Sequence, residues 1–528
     1  MRLRRALTAG ALLAVVSGLV GAAGFDIDRP MDEAAARAML NRLGYGATPG
    51  SLVLAREQTP RQYLKRAVVG DTRLPPSVAE RIAGLPMAEP LDKIWERLGP
   101  GGGARKSAND EEAKKEIRQE ENRFASATVQ ARLLTMANSD NPGHEALLSF
   151  WLNHFSIFAP KNLDKLLAAD YIRSLDSALR QDSFEALLRA AFYHPAMQVY
   201  LDNARSTATT SLAAMRAAKR GKQLGINENL ARELLELHTL GVDAGYTQKD
   251  VQELARIITG AGIYAPDMRD AMLARAGASR QGLFLFDPRR HDFTEKFFLG
   301  QSFPAGQGIA EVDRALHLLA VHPSTAQKIA LELARRFLDD EPPAQVVAAM
   351  AAGFRHSGGK ISATLTPLLE SPAFAASLSA PTKFKEPVDY VLSVARAACG
   401  DTPINNGRIL AATVLDMGEA PLMHTTPDGY PGREADWLSP AAMAKRVRLA
   451  MAVAGERLPL AQDDSDRLAG LAALNGDARH FLRGEPCPID MAVLDKAVGP
   501  VAPQAGSPRL AAAERAAILL ASPEFMRR

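Results

Sequence analysis

Apolar residues recur along most of this chain at three- and four-residue intervals, the spacing of helices that bury one face. Asp32 can cap a run carrying Ala36, Met39, Leu40 and Leu43, which Gly44-Tyr45-Gly46 and Pro49-Gly50 end, and Leu52 to Val68 predict a second helix. The pattern breaks over 99–115, where three glycines precede a run of mixed charges, so a mobile loop leading into a charged helix start is expected. Helices are predicted over 116–137 and 144–158, either side of Asn141-Pro142-Gly143, with two shorter ones over 168–193. Ser206 to Gly225 is basic and rich in small residues, and reads as a loop with a helical piece. Thr247 and Asp250 resemble a capping box before a helix whose face is Val251, Leu254, Ile257 and Ile258, with Gly260 as its terminator.

Two stretches, 282–287 (GLFLFD) and 296–303 (KFFLGQSF), read instead as strands, and predict a small β-hairpin with a polar tip. Helices then return at about 310–321, 323–338, 343–354, 361–370, 386–398 and 407–416. A turn-rich loop follows over 423–440, then helices near 440–455, 463–475, 489–498 and 508–521. The expected fold is mainly α, one large multi-helical domain over 25–528 with a β-hairpin near 282–303. No fixed-period repeat is present, and whether two lobes meet near residue 300 stays open.

Residues 1–24 stand apart. Arg2, Arg4 and Arg5 precede an apolar run from Ala6 to Val20 and then four small residues, the layout of an export signal. The apolar run is short for a retained anchor, and no later stretch reaches about 18 uninterrupted apolar residues. The expected location is therefore periplasmic or secreted, with no membrane span after signal removal; Arg4-Arg5 leaves the choice between general and twin-arginine export open. Cys399 and Cys487 lie outside any CxxC or CxxH arrangement, so thiolate metal binding is not indicated, and whether they pair is left open. A net charge of +3 over 528 residues implies no general affinity for polyanions, and 6% aromatic residues give little for base stacking, so no nucleic acid partner is expected.

Candidate chemistry is densest between Ile226 and Gly245, INENLARELLELHTLGVDAG. On a helix advancing 100° per residue, Leu230, Ala231, Leu234, Leu235, Leu237 and His238 form an apolar arc, while Glu228, Asn229, Arg232, Glu233 and Glu236 share the other face. That face is either solvated and held by i,i+4 ion pairs, or packed so that Arg232 keeps one carboxylate ionised while another is desolvated. Because His238 falls on the opposite side, a metal triad from this helix alone is geometrically poor. His154, set among Phe150, Trp151 and Phe158, is either a core histidine or a site histidine. His291 beside Asp292, near Arg289, Arg290 and Lys296, suits a base, a ligand, an anion site or an ordinary loop. There is no GxSxG, P-loop, GxGxxG, HExxH or zinc-cysteine pattern, which removes most weight from nucleotide, zincin and α/β-hydrolase readings.

Eight stretches resemble an exported bacterial family catalogued as a domain of unknown function, number 1800. They are NRLGYGATPG (41–50), FWLNHFSI (150–157), YLDNARS (200–206), the long run 227–260, FDPRRHDFTEKFFLG (286–300), ARRFLDDEPP (334–343), PDGYPGREADWLSP (427–440) and ILLASPEF (518–525). The loop at 427–440 departs from the family pattern, with Tyr430 about where a tryptophan is usual. The resemblance implies a secreted or periplasmic protein, often encoded beside an exported alkaline phosphatase/sulfatase-like protein, with no assigned activity. Its motifs reach Asn203, Asn227, Asn229 and Lys296, taken as candidate substrate-binding residues. They also reach Glu228, Arg232, Glu233, Glu236, His154 and His291, taken as the candidate catalytic set. The expectation is a hydrolase-like enzyme using carboxylate acid–base groups on a polysaccharide or other envelope polymer. The alternative is a non-catalytic helical binding or assembly partner. No metal ligand set and no cofactor is required, although a site assembled across helices could take a divalent cation.

Overall fold

The computed structural model describes residues 25–268, 270–462, 484–499 and 511–528. The export segment, the helix expected over 463–475 and the start of that expected at 508 lie outside them. With 59% of the chain helical and 4% in strands, the fold is mainly α.

Local sequence signals set most boundaries. Asp32 accepts a hydrogen bond from Ala35 N at 2.7 Å and starts the Glu33–Arg42 helix. The Thr247–Asp250 capping box forms reciprocally, Asp250 N donating to Thr247 Oγ1 at 3.2 Å and Thr247 N to Asp250 Oδ2 at 2.8 Å. Residues expected to form a loop at 99–115 instead carry a short Gly103–Ser107 helix, and the long helix already starts at Glu111, capped by Asp110. The helix Pro372–Ser379 was not legible at all, since an eight-residue PAFAASLS carries no clear periodicity.

The strand pairing differs from expectation in one respect. Lys296–Phe298 and Gln301–Phe303 form an antiparallel hairpin, turned at Leu299-Gly300, both of positive φ (46° and 75°) as the mirror-image two-residue turn requires. Phe284–Phe286, expected to be its partner, lies between Ala261–Ile263 and Ser279–Gln281 in a separate three-stranded antiparallel sheet. Two of those partners are three-residue strands without an alternating pattern, too short to be read from the sequence.

One hydrophobic core runs from Ile27 to Met526 and draws on both sides of residue 300. Phe184 meets Phe354 edge-on at 5.6 Å, and buried Arg42 donates to the carbonyls of Leu338 (2.8 Å) and Ser377 (3.0 Å). The helix Pro387–Cys399 lies in its midst, buried at every position. A helix covered on all sides explains its apolar sequence, VDYVLSVARAAC, and makes its acid Asp389 conspicuous.

Cys399 ends that helix and is disulfide-bonded to Cys487, a sequence separation of 88. This settles the pairing that the sequence left open. Replacing both cysteines with serine releases that loop in the unfolded chain and should lower the unfolding free energy by about 3 kcal/mol. Urea titration under non-reducing conditions checks it, and an unchanged midpoint would show that the crosslink contributes nothing.

Candidate functional site: a carboxyl-lined cavity

The chain folds five of the eight stretches that carry the resemblance around one cavity of about 360 Å³. Tyr45 comes from the first; Phe150, Asn153 and His154 from the Pro142–His154 helix; Leu237 from the central run. Arg335 and Arg336 come from the Pro323–Phe337 helix, and Asp428, Tyr430 and Arg433 from the loop at 427–440. Five more acids line it, Glu332, Glu386, Asp389, Glu419 and Asp436.

Asp389 sits on its buried helix against two guanidiniums. Arg336 reaches it with both terminal nitrogens, at 2.7 and 2.9 Å, and Arg528 Nη1 lies 3.0 Å away. Burial alone would raise the Asp389 carboxyl, but the two arginines outweigh it and hold it well below the usual range. Arg336 also donates to Glu386 Oε1 at 3.0 Å. Glu419 is in the opposite condition. Its Oε2 accepts one hydrogen bond, from Val388 N at 2.8 Å, and no cation pairs with it among the described residues. Burial, then the neighbouring Glu386 carboxylate, push its pKa up to about 8, so it is a neutral carboxylic acid at neutral pH. One cavity thus holds a protonated carboxyl beside a salt-bridged one, the arrangement that proton donation at neutral pH requires.

The loop carrying Tyr430 is fixed as one wall. Asn153 grips its backbone like a strand neighbour, donating to Tyr430 O at 3.0 Å and accepting from Tyr430 N at 2.8 Å. The chain passes so close that a Cβ on Gly429 (φ +71°) would lie 2.5 Å from Asn153 O. Lys383 donates to Gly432 O, Glu434 N to Asp340 Oδ2 at 2.7 Å, and Arg527 pairs with Glu434. Tyr430 therefore occupies the cavity wall, its hydroxyl accepting from Ala420 N at 3.3 Å, with His424 edge-on at 4.7 Å and Trp437 at 6.2 Å.

His154 is brought to this cavity, but both ring nitrogens are engaged. Nδ1 lies 2.7 Å from Glu332 Oε2, and Nε2 donates to His238 O at 3.0 Å. His238 Nδ1 lies in turn 3.1 Å from His154 O. Burial holds the His238 ring far below its usual range, at about 3, so it stays neutral and belongs to the apolar side, as its place on the helix wheel indicated. Burial would raise Glu332, but His154 and Lys328 outweigh it and bring it to about 2. His154 is thus a wall residue with both ring nitrogens engaged by Glu332 and the His238 carbonyl.

The central helix is shorter than its pattern suggested. It runs as a regular helix over Asn229–Glu233, widens to a π turn over Leu234–His238, and stops at Thr239. Asn227 Oδ1 accepts from Asn229 N at 2.8 Å, so these two asparagines serve the helix start. Arg232 lies 3.4 Å from both Glu228 and Glu236, and Gln248 bridges Arg232 and Glu228. None of Glu228, Arg232 or Glu236 lines the cavity; the helix presents Leu237 to it instead. The polar face is thus a part-buried i,i+4 ion-pair arrangement outside this cavity. Glu233 does not line the cavity either; its half-buried carboxyl is raised by burial, by Glu236 and by Asp428 of the cavity wall.

His291 and Lys296 are also corrected. Glu311 Oε1 lies 2.9 Å from His291 Nε2 and 2.7 Å from Lys296 Nζ, all three side chains sealed from solvent in the core. His291 Nδ1 is 2.8 Å from Thr259 O, and Lys296 donates to Thr294 O at 3.0 Å. This triad locks the PRRHDFTE segment onto the domain, so that segment is no free polar tip. Asn203, fully buried, donates to Gln198 Oε1 at 2.7 Å and is likewise internal.

Among the described residues no three His, Cys, Asp or Glu side chains gather as a metal-ligand group, and no helix is long and apolar enough to cross a membrane. Residues 38–527 match the family described as protein of unknown function (DUF1800), and the chain belongs to it. No curated protein and no solved structure matches the chain.

Proposed function

We propose that this protein is an exported hydrolase acting on a polysaccharide or related envelope polymer, with the cavity as its active site and Glu419 as its general acid. The observation that carries the reading is the neutral Glu419 carboxyl beside Glu386 in a cavity of about 360 Å³. Two carboxyl groups in different protonation states suit cleavage of a glycosidic bond. Glu419 gives its proton to the departing oxygen, and Glu386, held against Arg336, takes the proton of the attacking water, so that one water is added across the bond. Phe150 and Tyr430 in the cavity wall, with Trp437 next to Tyr430, offer faces for sugar rings. The Cys399–Cys487 bond agrees with an oxidising compartment such as the periplasm. Reducing-end release from a panel of envelope and extracellular polysaccharides, with and without divalent cations, tests the proposal. Turnover of at least one polymer is expected, and inertness towards all of them would overturn it.

A second reading has one observation in its favour. The Arg336–Asp389–Arg528 network is internal and charge-matched, as a structural lock would be. On that reading the protein is a non-catalytic helical partner of a co-encoded exported phosphatase/sulfatase-like protein.

A further inference from the structure

The excursion between Thr207 and Gly225 plays no part in the cavity. Its neck is closed by Thr207 N donating to Gly225 O at 3.0 Å, and it is pinned where Ala208 N and Ala213 N donate to Arg290 O (2.8 Å) and Arg289 O (2.9 Å). Ser211 caps the Leu212–Ala218 helix by accepting from Ala214 N at 3.2 Å. Between Asn203 and Asn227 the chain carries five cations, Arg205, Arg216, Lys219, Arg220 and Lys222, and no carboxylate, although the whole protein has a net charge of only +3. All five are exposed, and none has an ion-pair partner among the described residues. Leu212 and Met215, one helical turn apart, stand 54% and 50% exposed beside them, with Leu224 36% exposed.

We infer that this excursion docks the protein onto an anionic phospholipid surface. Unpaired cations supply attraction to lipid phosphates, and the two apolar side chains on one face supply the shallow insertion that distinguishes a lipid surface from a soluble polyanion. A soluble polyanion such as heparin would use the cations alone and leave Leu212 and Met215 in water. The pinned neck holds the patch in a fixed orientation on the domain.

Sedimentation of the purified protein with phosphatidylcholine vesicles, with and without phosphatidylglycerol, tests this, with heparin affinity as the soluble polyanion control. Binding is expected only when phosphatidylglycerol is present. The double variant Lys219→Glu/Arg220→Glu should weaken it at least about twentyfold. Leu212→Ser/Met215→Ser should weaken vesicle binding about tenfold and leave heparin retention unchanged. All four positions are exposed, so thermal melting should match the parent protein. Absence of phosphatidylglycerol-dependent binding, or vesicle binding that ignores Leu212→Ser/Met215→Ser, would overturn the inference; the latter would reduce the patch to a binder of polyanions through charge alone.

Discussion

Replacing Glu419 with glutamine should lower the hydrolytic rate constant by about a hundred- to ten-thousandfold while leaving the fold intact at neutral pH. The side chain is a neutral acid there, because burial and the Glu386 carboxylate raise its pKa to about 8. Glutamine is its near-isostere. The amide can still accept from Val388 N, as Oε2 does at 2.8 Å, but it has no proton to give. Rates on whichever polysaccharide the panel identifies, together with a melting curve, separate lost chemistry from lost structure. Glu228→Gln serves as the comparison, since that residue does not line the cavity and should keep full activity.

The largest effect on stability is expected from Asp389→Asn. Asp389 is sealed in a helix buried at every position and neutralises Arg336 and Arg528 at 2.7 and 3.0 Å. Removing its charge leaves two interior guanidiniums with Glu386, at 3.0 and 3.9 Å, as their one acidic partner among the described residues. Breaking a buried pair of this kind costs about 3 to 5 kcal/mol, because the remaining charge stays desolvated. The partly exposed pairs of Arg232 should contribute less than about 1 kcal/mol, so Arg232→Ala is the matched control. Urea unfolding of the two variants checks the contrast, and equal losses would mean that the buried network is no stronger than a surface pair.

The sequence made helices legible wherever caps and periodicity agreed, as at Asp32 and at Thr247–Asp250. It marked 282–287 and 296–303 as extended, but read 296–303 as a single strand paired with 282–287, whereas it turns back on itself at Leu299-Gly300. It did not place the partners of Phe284–Phe286, because register between three-residue strands depends on the surrounding core. The site was legible in its motifs more than in its residues. The stretches around Asn153, Arg336 and Tyr430 were recognised as distinctive, yet the ionisable cluster at Glu228–Glu236 drew the chemical reading. That face proved to be an i,i+4 ion-pair ladder, which one helix specifies locally. The cavity acids come from segments far apart in sequence, so no local spacing announces them. The one available signal was negative: Asp389 and Arg396 are the only charges after the first residue or two of an otherwise apolar helix, and Glu386 and Glu419 flank apolar, proline-containing joints. A lone charge inside an all-apolar helix must have a buried partner. His291 and Lys296 misled for the converse reason, since a polar segment read as a solvent-facing tip is bonded inward to Glu311.

The most direct measurement is the unfolding free energy of the parent protein and of Glu419→Gln as a function of pH. The Glu419 carboxyl stands near 4.5 in the unfolded chain and is raised to about 8 in the fold. The unfolded chain therefore loses this proton first. The stability that the protonated group contributes is complete below about 4.5 and is lost as pH rises through the folded value. Between pH 6 and 8 the parent should lose about 2 kcal/mol relative to Glu419→Gln, which has nothing to titrate. Parallel curves for the two proteins would contradict the account, for they would mean that Glu419 carries no proton at neutral pH.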